Sequence, residues 1–81
     1  MKKQNGDRKR KDEIMWNAQE IGKTAGQVWN FLHSNGKSSI NALGRAIGAP
    51  QLLVDMAIGW LAREGKIELG QEERSICVWL T

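Results

Sequence analysis

The placement of its helix stops constrains this chain more than any other feature. Asn35-Gly36, Gly48-Ala49-Pro50 and Glu64-Gly65 each end a helical run. Glycine takes the left-handed conformation that closes a helix, and proline cannot sit inside one. Before the first stop, Ile21, Ala25, Val28 and Leu32 recur at i, i+4, i+7 and i+11, which predicts a helix over about 15–34. Gly22 and Gly26 weaken it by about 1 kcal/mol each relative to alanine. They share a stripe with Trp29 and His33, so the Trp29 ring is expected against their bare backbone. Ser38-Ser39-Ile40 suffices for a minimal strand. Asn41 is expected to cap a short helix over Ala42–Ile47. Pro50 is expected at the first position of a third helix that runs to about Glu64.

Beyond Gly65 the apolar period changes from helical to alternating. Lys66–Leu69 reads as a strand and Gly70–Arg74 as a turn. Ser75–Leu80 reads as a second strand, with Ile76, Val78 and Leu80 on one face and Cys77 and Trp79 on the other. The class is α+β, mainly α: three helices and a small antiparallel β-hairpin in one domain over 14–81. The expected core is Ile21, Ala25, Val28, Leu32, Ile40, Leu43, Ile47, Val54, Ile58, Leu61, Ile67, Leu69, Ile76 and Val78.

At 81 residues the chain buries only about 60 % of the surface its unfolded form exposes, so its core is thin and leaves no room for a deep cleft. The one cysteine, Cys77, forms no internal disulfide framework, and with the one histidine, His33, falls short of a structural zinc site. Gly22-Lys23-Thr24 echoes the end of a phosphate loop but lacks the upstream glycine and lies inside a helix. No nucleophile, base or phosphate cradle is legible, so the chain reads as a non-enzyme with no cofactor and no small-molecule substrate. No apolar run approaches the roughly 20 residues of a membrane helix, and no apolar signal segment follows the basic start. The expected compartment is the cytoplasm.

The formal charge of +3 is unevenly placed. Residues 1–13 carry six cations, Lys2, Lys3, Arg8, Lys9, Arg10 and Lys11, against three carboxylates. The rest of the chain carries six of each. This segment is too polar to offset its ordering entropy and is expected to be a disordered basic tail. Its bland role is to solubilise; its sharper role is weak, salt-dependent, non-specific contact with nucleic acid.

Ser39-Ile40-Asn41-Ala42-Leu43 opens the second helix and Ile47-Gly48-Ala49-Pro50 forms the turn before the third. Leu61-Ala62-Arg63-Glu64-Gly65-Lys66-Ile67 leads from the third helix into the hairpin. On these residues, over about 20–80, the chain resembles the winged helix-turn-helix superfamily. Ile21-Gly22, Ala25-Gly26, Val28-Trp29 and Gly59-Trp60-Leu61 are similar to a family of small prokaryotic winged-helix proteins classed as a domain of unknown function. The narrower resemblance implies a fold and no biochemical activity.

The superfamily resemblance implies a third helix in the DNA major groove, with the hairpin wing on phosphate or minor groove. The residues that would read DNA depart from that pattern. A helical wheel puts Val54, Ala57, Ile58 and Leu61 on the core face. Leu52, Leu53, Met56, Gly59 and Trp60 are left for the outer face, where an apolar stripe either suits a protein interface or is buried in the chain's own core under residues 14–20, with Trp16 as a lid. The wing carries Glu68, Glu72 and Glu73 against Arg74. The leading expectation is a non-catalytic interaction module, homodimeric or binding another protein through Leu52, Leu53, Met56 and Trp60. The alternative is a sequence-specific DNA-binding transcriptional regulator. Its readers would be Gln51, Arg63, Arg45 and Arg74, assisted by Lys2, Lys3, Arg8, Lys9, Arg10 and Lys11.

Overall fold

The computed structural model describes residues 17–81. The elements run α1 (Ala18–Asn35), β1 (Ser38–Ser39), α2 (Ile40–Ile47), α3 (Gln51–Arg63), β2 (Ile67–Glu72) and β3 (Ser75–Leu80). This is the helix, strand, helix, helix, hairpin order expected of a winged helix. The basic tail lies outside the described residues, as do Ile14, Met15 and Trp16.

Each helix is closed by local chemistry. Asn17 caps α1 by accepting a hydrogen bond from Glu20 N at 2.9 Å. Gly36, at φ 82°, donates its N–H to Leu32 O at 2.8 Å. Gly48 ends α2 in the left-handed conformation, at φ 77°. Two expected caps shift. The cap of α2 is Ser39, whose Oγ accepts from Ala42 N at 3.0 Å, and Asn41 is an exposed residue inside the helix. The reason is tertiary: Ser38 and Ser39 pair with Val78 and Cys77 of β3, so the chain is still extended at Ser39. Pro50 is the cap of α3 at ψ 139° rather than its first helical residue.

The sheet order is β1-β3-β2, all antiparallel. β2 runs through Gly70 and Gln71 to Glu72, so the expected five-residue turn shrinks to Glu73-Arg74, with Glu73 at φ 57°. Gly70 stays in the strand, paired with Cys77, and the Trp79 indole lies across it. A Cβ there would come within 2.8 Å of Trp79 Cη2.

Ala25, Val28 and Leu32 of α1, Leu43 of α2, Val54, Ala57, Ile58 and Leu61 of α3, Ile67 and Val78 form one buried cluster. Ile40, Ile47 and Leu80 pack on it half-buried, and Ile21 is also half-buried. Leu69 and Ile76 depart from the expected core. They lie on its side of the hairpin but are 43 % and 47 % exposed, because the wing reaches past the helices that cover Ile67 and Val78. Leu53, expected on the outer face of α3, is buried at 3 %. Trp29 does not rest on Gly22 and Gly26. It stacks on His33, one turn on, with centroids 5.0 Å apart, and both glycines face open space.

Candidate interaction surface

The outer face of α3 divides into two rows. On one flank Gln51 and Asp55 stand one turn apart, and Gln51 Nε2 donates to Asp55 Oδ1 at 2.8 Å. Gln51 is also tucked against Gly44 of α2, where any Cβ would collide with its Oε1. Both polar side chains of this flank are therefore held along the α2–α3 seam. Across the helix, Leu52, Met56 and Trp60 follow at i, i+4 and i+8 and form an apolar ridge. Leu52 is 59 % exposed and Trp60 40 %, with Met56 half-buried between them. Leu53, beside them in sequence, is buried.

Trp60 also forms one wall of a groove. Gly22, Ala25, Gly26, Trp29 and Asn30 of α1 face Trp60, Leu61 and Glu64 of α3 across a space of about 400 Å³, with Lys66 at its end. The bare backbone of Gly22 and Gly26 leaves the floor open. The spacing of these glycines is legible in the sequence. Their facing Trp60 depends on how α1 and α3 pack, which no local pattern shows.

The described cations expected to read DNA come from three separate elements. Arg45 is exposed on α2, Arg63 ends α3 and Arg74 sits in the wing turn. Lys66 is held 3.5 Å from Glu64. Lys2, Lys3, Arg8, Lys9, Arg10 and Lys11 lie outside the described residues.

A polar cluster that sequence reasoning missed covers the outer face of the wing. Lys37 Nζ lies 4.7 Å from the centroid of the Trp79 ring and forms an ion pair with Glu72. Cys77 Sγ is 3.9 Å from Glu72 Oε1. The hydrogen bond from Lys37 holds the Glu72 carboxyl below its ordinary pKa and raises that of the Lys37 ammonium. Lys37 lies 35 residues from Glu72, and only the β1–β3–β2 register brings them together. Among the described residues, no three His, Cys, Asp or Glu side chains cluster as a metal ion requires, and no helix is long and apolar enough to cross a membrane.

Residues 15–80 match the family described as "Winged helix-turn-helix domain (DUF2582)". The chain belongs to this family. Uncharacterized protein MJ1608 of Methanocaldococcus jannaschii is 41 % identical over 64 residues, which span 76 % of this chain and 89 % of that protein. The Zalpha domain of Carassius auratus PKZ, solved in complex with Z-DNA, superposes with a TM-score of 0.67 at 21 % identity. That alignment covers 76 % of this chain and 98 % of the Zalpha chain. At that identity the likeness is one of fold. For this DUF2582 chain, function has to be argued from the surface that its residues build.

Proposed function

We propose that this chain is a non-catalytic winged-helix interaction module. It docks a protein surface, first of all a second copy of itself, through Leu52, Met56 and Trp60, with Leu53, beside them in sequence, buried. The observation that carries this reading is the 40 % exposure of Trp60 next to the 59 % exposure of Leu52 on one ridge of α3. Large aromatic side chains at such positions anchor interfaces, and symmetric dimers are the commonest assemblies. The basic tail adds weak, non-specific contact with nucleic acid through Lys2, Lys3, Arg8, Lys9, Arg10 and Lys11. The module works in the cytoplasm.

A second reading is favoured by the Zalpha neighbour, whose structure holds Z-DNA. It makes the chain a sequence-specific DNA-binding transcriptional regulator that reads duplex through Gln51, Arg63, Arg45 and Arg74. The Gln51–Asp55 hydrogen bond counts against it, because that bond occupies the one amide on the helix able to read adenine and sets a carboxylate beside it.

The two readings separate in one NMR experiment on the 15N-labelled full chain. If α3 docks a second copy, dilution moves the amide signals of Leu52, Met56 and Trp60. Added duplex at about 150 mM salt then leaves the signals of residues 17–81 in place. Shifts at Gln51, Arg63 and Arg74 on adding duplex, with none on dilution, would reverse the order of the readings.

A further inference from the structure

We infer that the groove on α1 receives the α3 ridge of the second copy, so that the dimer is a two-fold exchange of ridge and groove. This rests on the reading of the ridge as a self-docking surface and adds the other half of the interface. Ridge and groove adjoin in each chain and share Trp60. A two-fold axis beside Trp60 therefore carries each ridge toward the partner's groove, as an isologous interface requires. The lengths agree: at 1.5 Å per residue, Leu52 to Trp60 spans about 12 Å and Gly22 to Trp29 about 10 Å. The shapes agree as well. The floor is bare at Gly22 and Gly26, where a Cβ would meet nothing within 4 Å. Leu52 and Met56 are unbranched at Cβ and suit such a slot.

The charges near the axis also fit. Trp60, Arg63 and Glu64 line a single depression at the end of α3. Arg63 has no ion-pair partner among the described residues, while Glu64 is 3.5 Å from Lys66 with carboxylate lone pairs to spare. A dimer axis passing between Arg63 and Glu64 sets Arg63 of each copy opposite Glu64 of the other, and the symmetry makes the pair reciprocal.

The test fills the groove without harming the fold. Gly22→Leu and Gly26→Leu place side chains in open space on a helix, and each improves helix propensity by up to about 1 kcal/mol. Sedimentation equilibrium of the full chain is expected to show that each variant keeps its helical circular dichroism but dissociates about thirtyfold more readily than the wild type. A charge exchange gives an independent check: Arg63→Glu and Glu64→Arg each weaken self-association, and mixing the two variants restores it as a heterodimer. If both leucine variants dimerise as tightly as the wild type, the ridge has another receptor and the inference falls, while the reading of the ridge stands. A wild type that stays monomeric at every concentration removes both. Nuclear Overhauser contacts within one chain from Trp16 to Gly22 or Gly26 would show residues 14–16 in the groove and also overturn the inference.

Discussion

The side-chain amide of Gln51 donates to Asp55 Oδ1 at 2.8 Å, and this bond ties together the two polar side chains on one flank of the outer face of α3. Gln51 is the one uncharged side chain on that face able to read a base edge bidentately. It is held between Asp55 and Gly44 instead. What remains turned outward is Leu52, Gly59, Trp60 and, at the end of the helix, Arg63. Leucine and tryptophan on that face, beside a carboxylate already bonded to Gln51, are what support the reading proposed above of an apolar docking ridge.

The cap of α2 separates the structure from the sequence expectation in one comparison. Ser39→Ala removes the acceptor for Ala42 N and is expected to cost about 1 kcal/mol of stability. Asn41→Ala replaces an exposed helical residue by a better helix former and is expected to be neutral or slightly stabilising. Urea unfolding of the two variants measures both values.

Gly70 is expected to resist substitution although it sits in an ordinary extended strand. In Gly70→Ala the new methyl meets the edge of the Trp79 indole, which is also packed under Lys37. The ring must move, at a cost of about 1–3 kcal/mol for overpacking a fitted contact. The near-ultraviolet circular dichroism of Trp79 should change and the melting temperature should fall. A valine at the same site is expected to be worse.

The Lys37–Glu72 pair makes stability depend on pH at both ends of the scale. The pKa of Glu72 is lowered by the hydrogen bond from Lys37. Its contribution is therefore present above the ordinary value of 4.5 and is lost as pH falls through the lower, folded value. The pKa of Lys37 is raised, chiefly by the same hydrogen bond. Its contribution is complete below 10.5 and is lost as pH rises through the folded value. Both groups are exposed, so salt screens the effect. A carboxyl-carbon titration by NMR should give Glu72 a midpoint below 4.5, and Lys37→Met should return it to the ordinary range.

The order of the fold is legible because its signals are local. Gly36 and Gly48 act as helix stops at the positions where their backbone takes positive φ, and the change of period after Gly65 marks the wing. The errors arise where pairing partners are remote. Ser39 and Asn41 are both good capping residues, and the pairing of β1 with β3 decides between them. Gly70 reads as a turn residue until Trp79 is placed across it. Alternation assigns Leu69 and Ile76 to the correct face of the hairpin, but it carries no information on where the covering helices end. On α3 the wheel finds Leu52, Met56 and Trp60 and misplaces Leu53, which sits one position inside the edge of the buried arc. The groove beside Trp60 and the Lys37–Trp79–Glu72 cluster each join segments that only the folded chain brings together.

Sedimentation equilibrium of the full chain, beside the double variant Leu52→Ser/Trp60→Ser, tests the account most directly. The ridge as a self-docking surface predicts a mass that rises with concentration toward twice the 9.1 kDa of one chain, and a variant that stays folded at the mass of one. Equal, concentration-independent monomer masses for both proteins would contradict it.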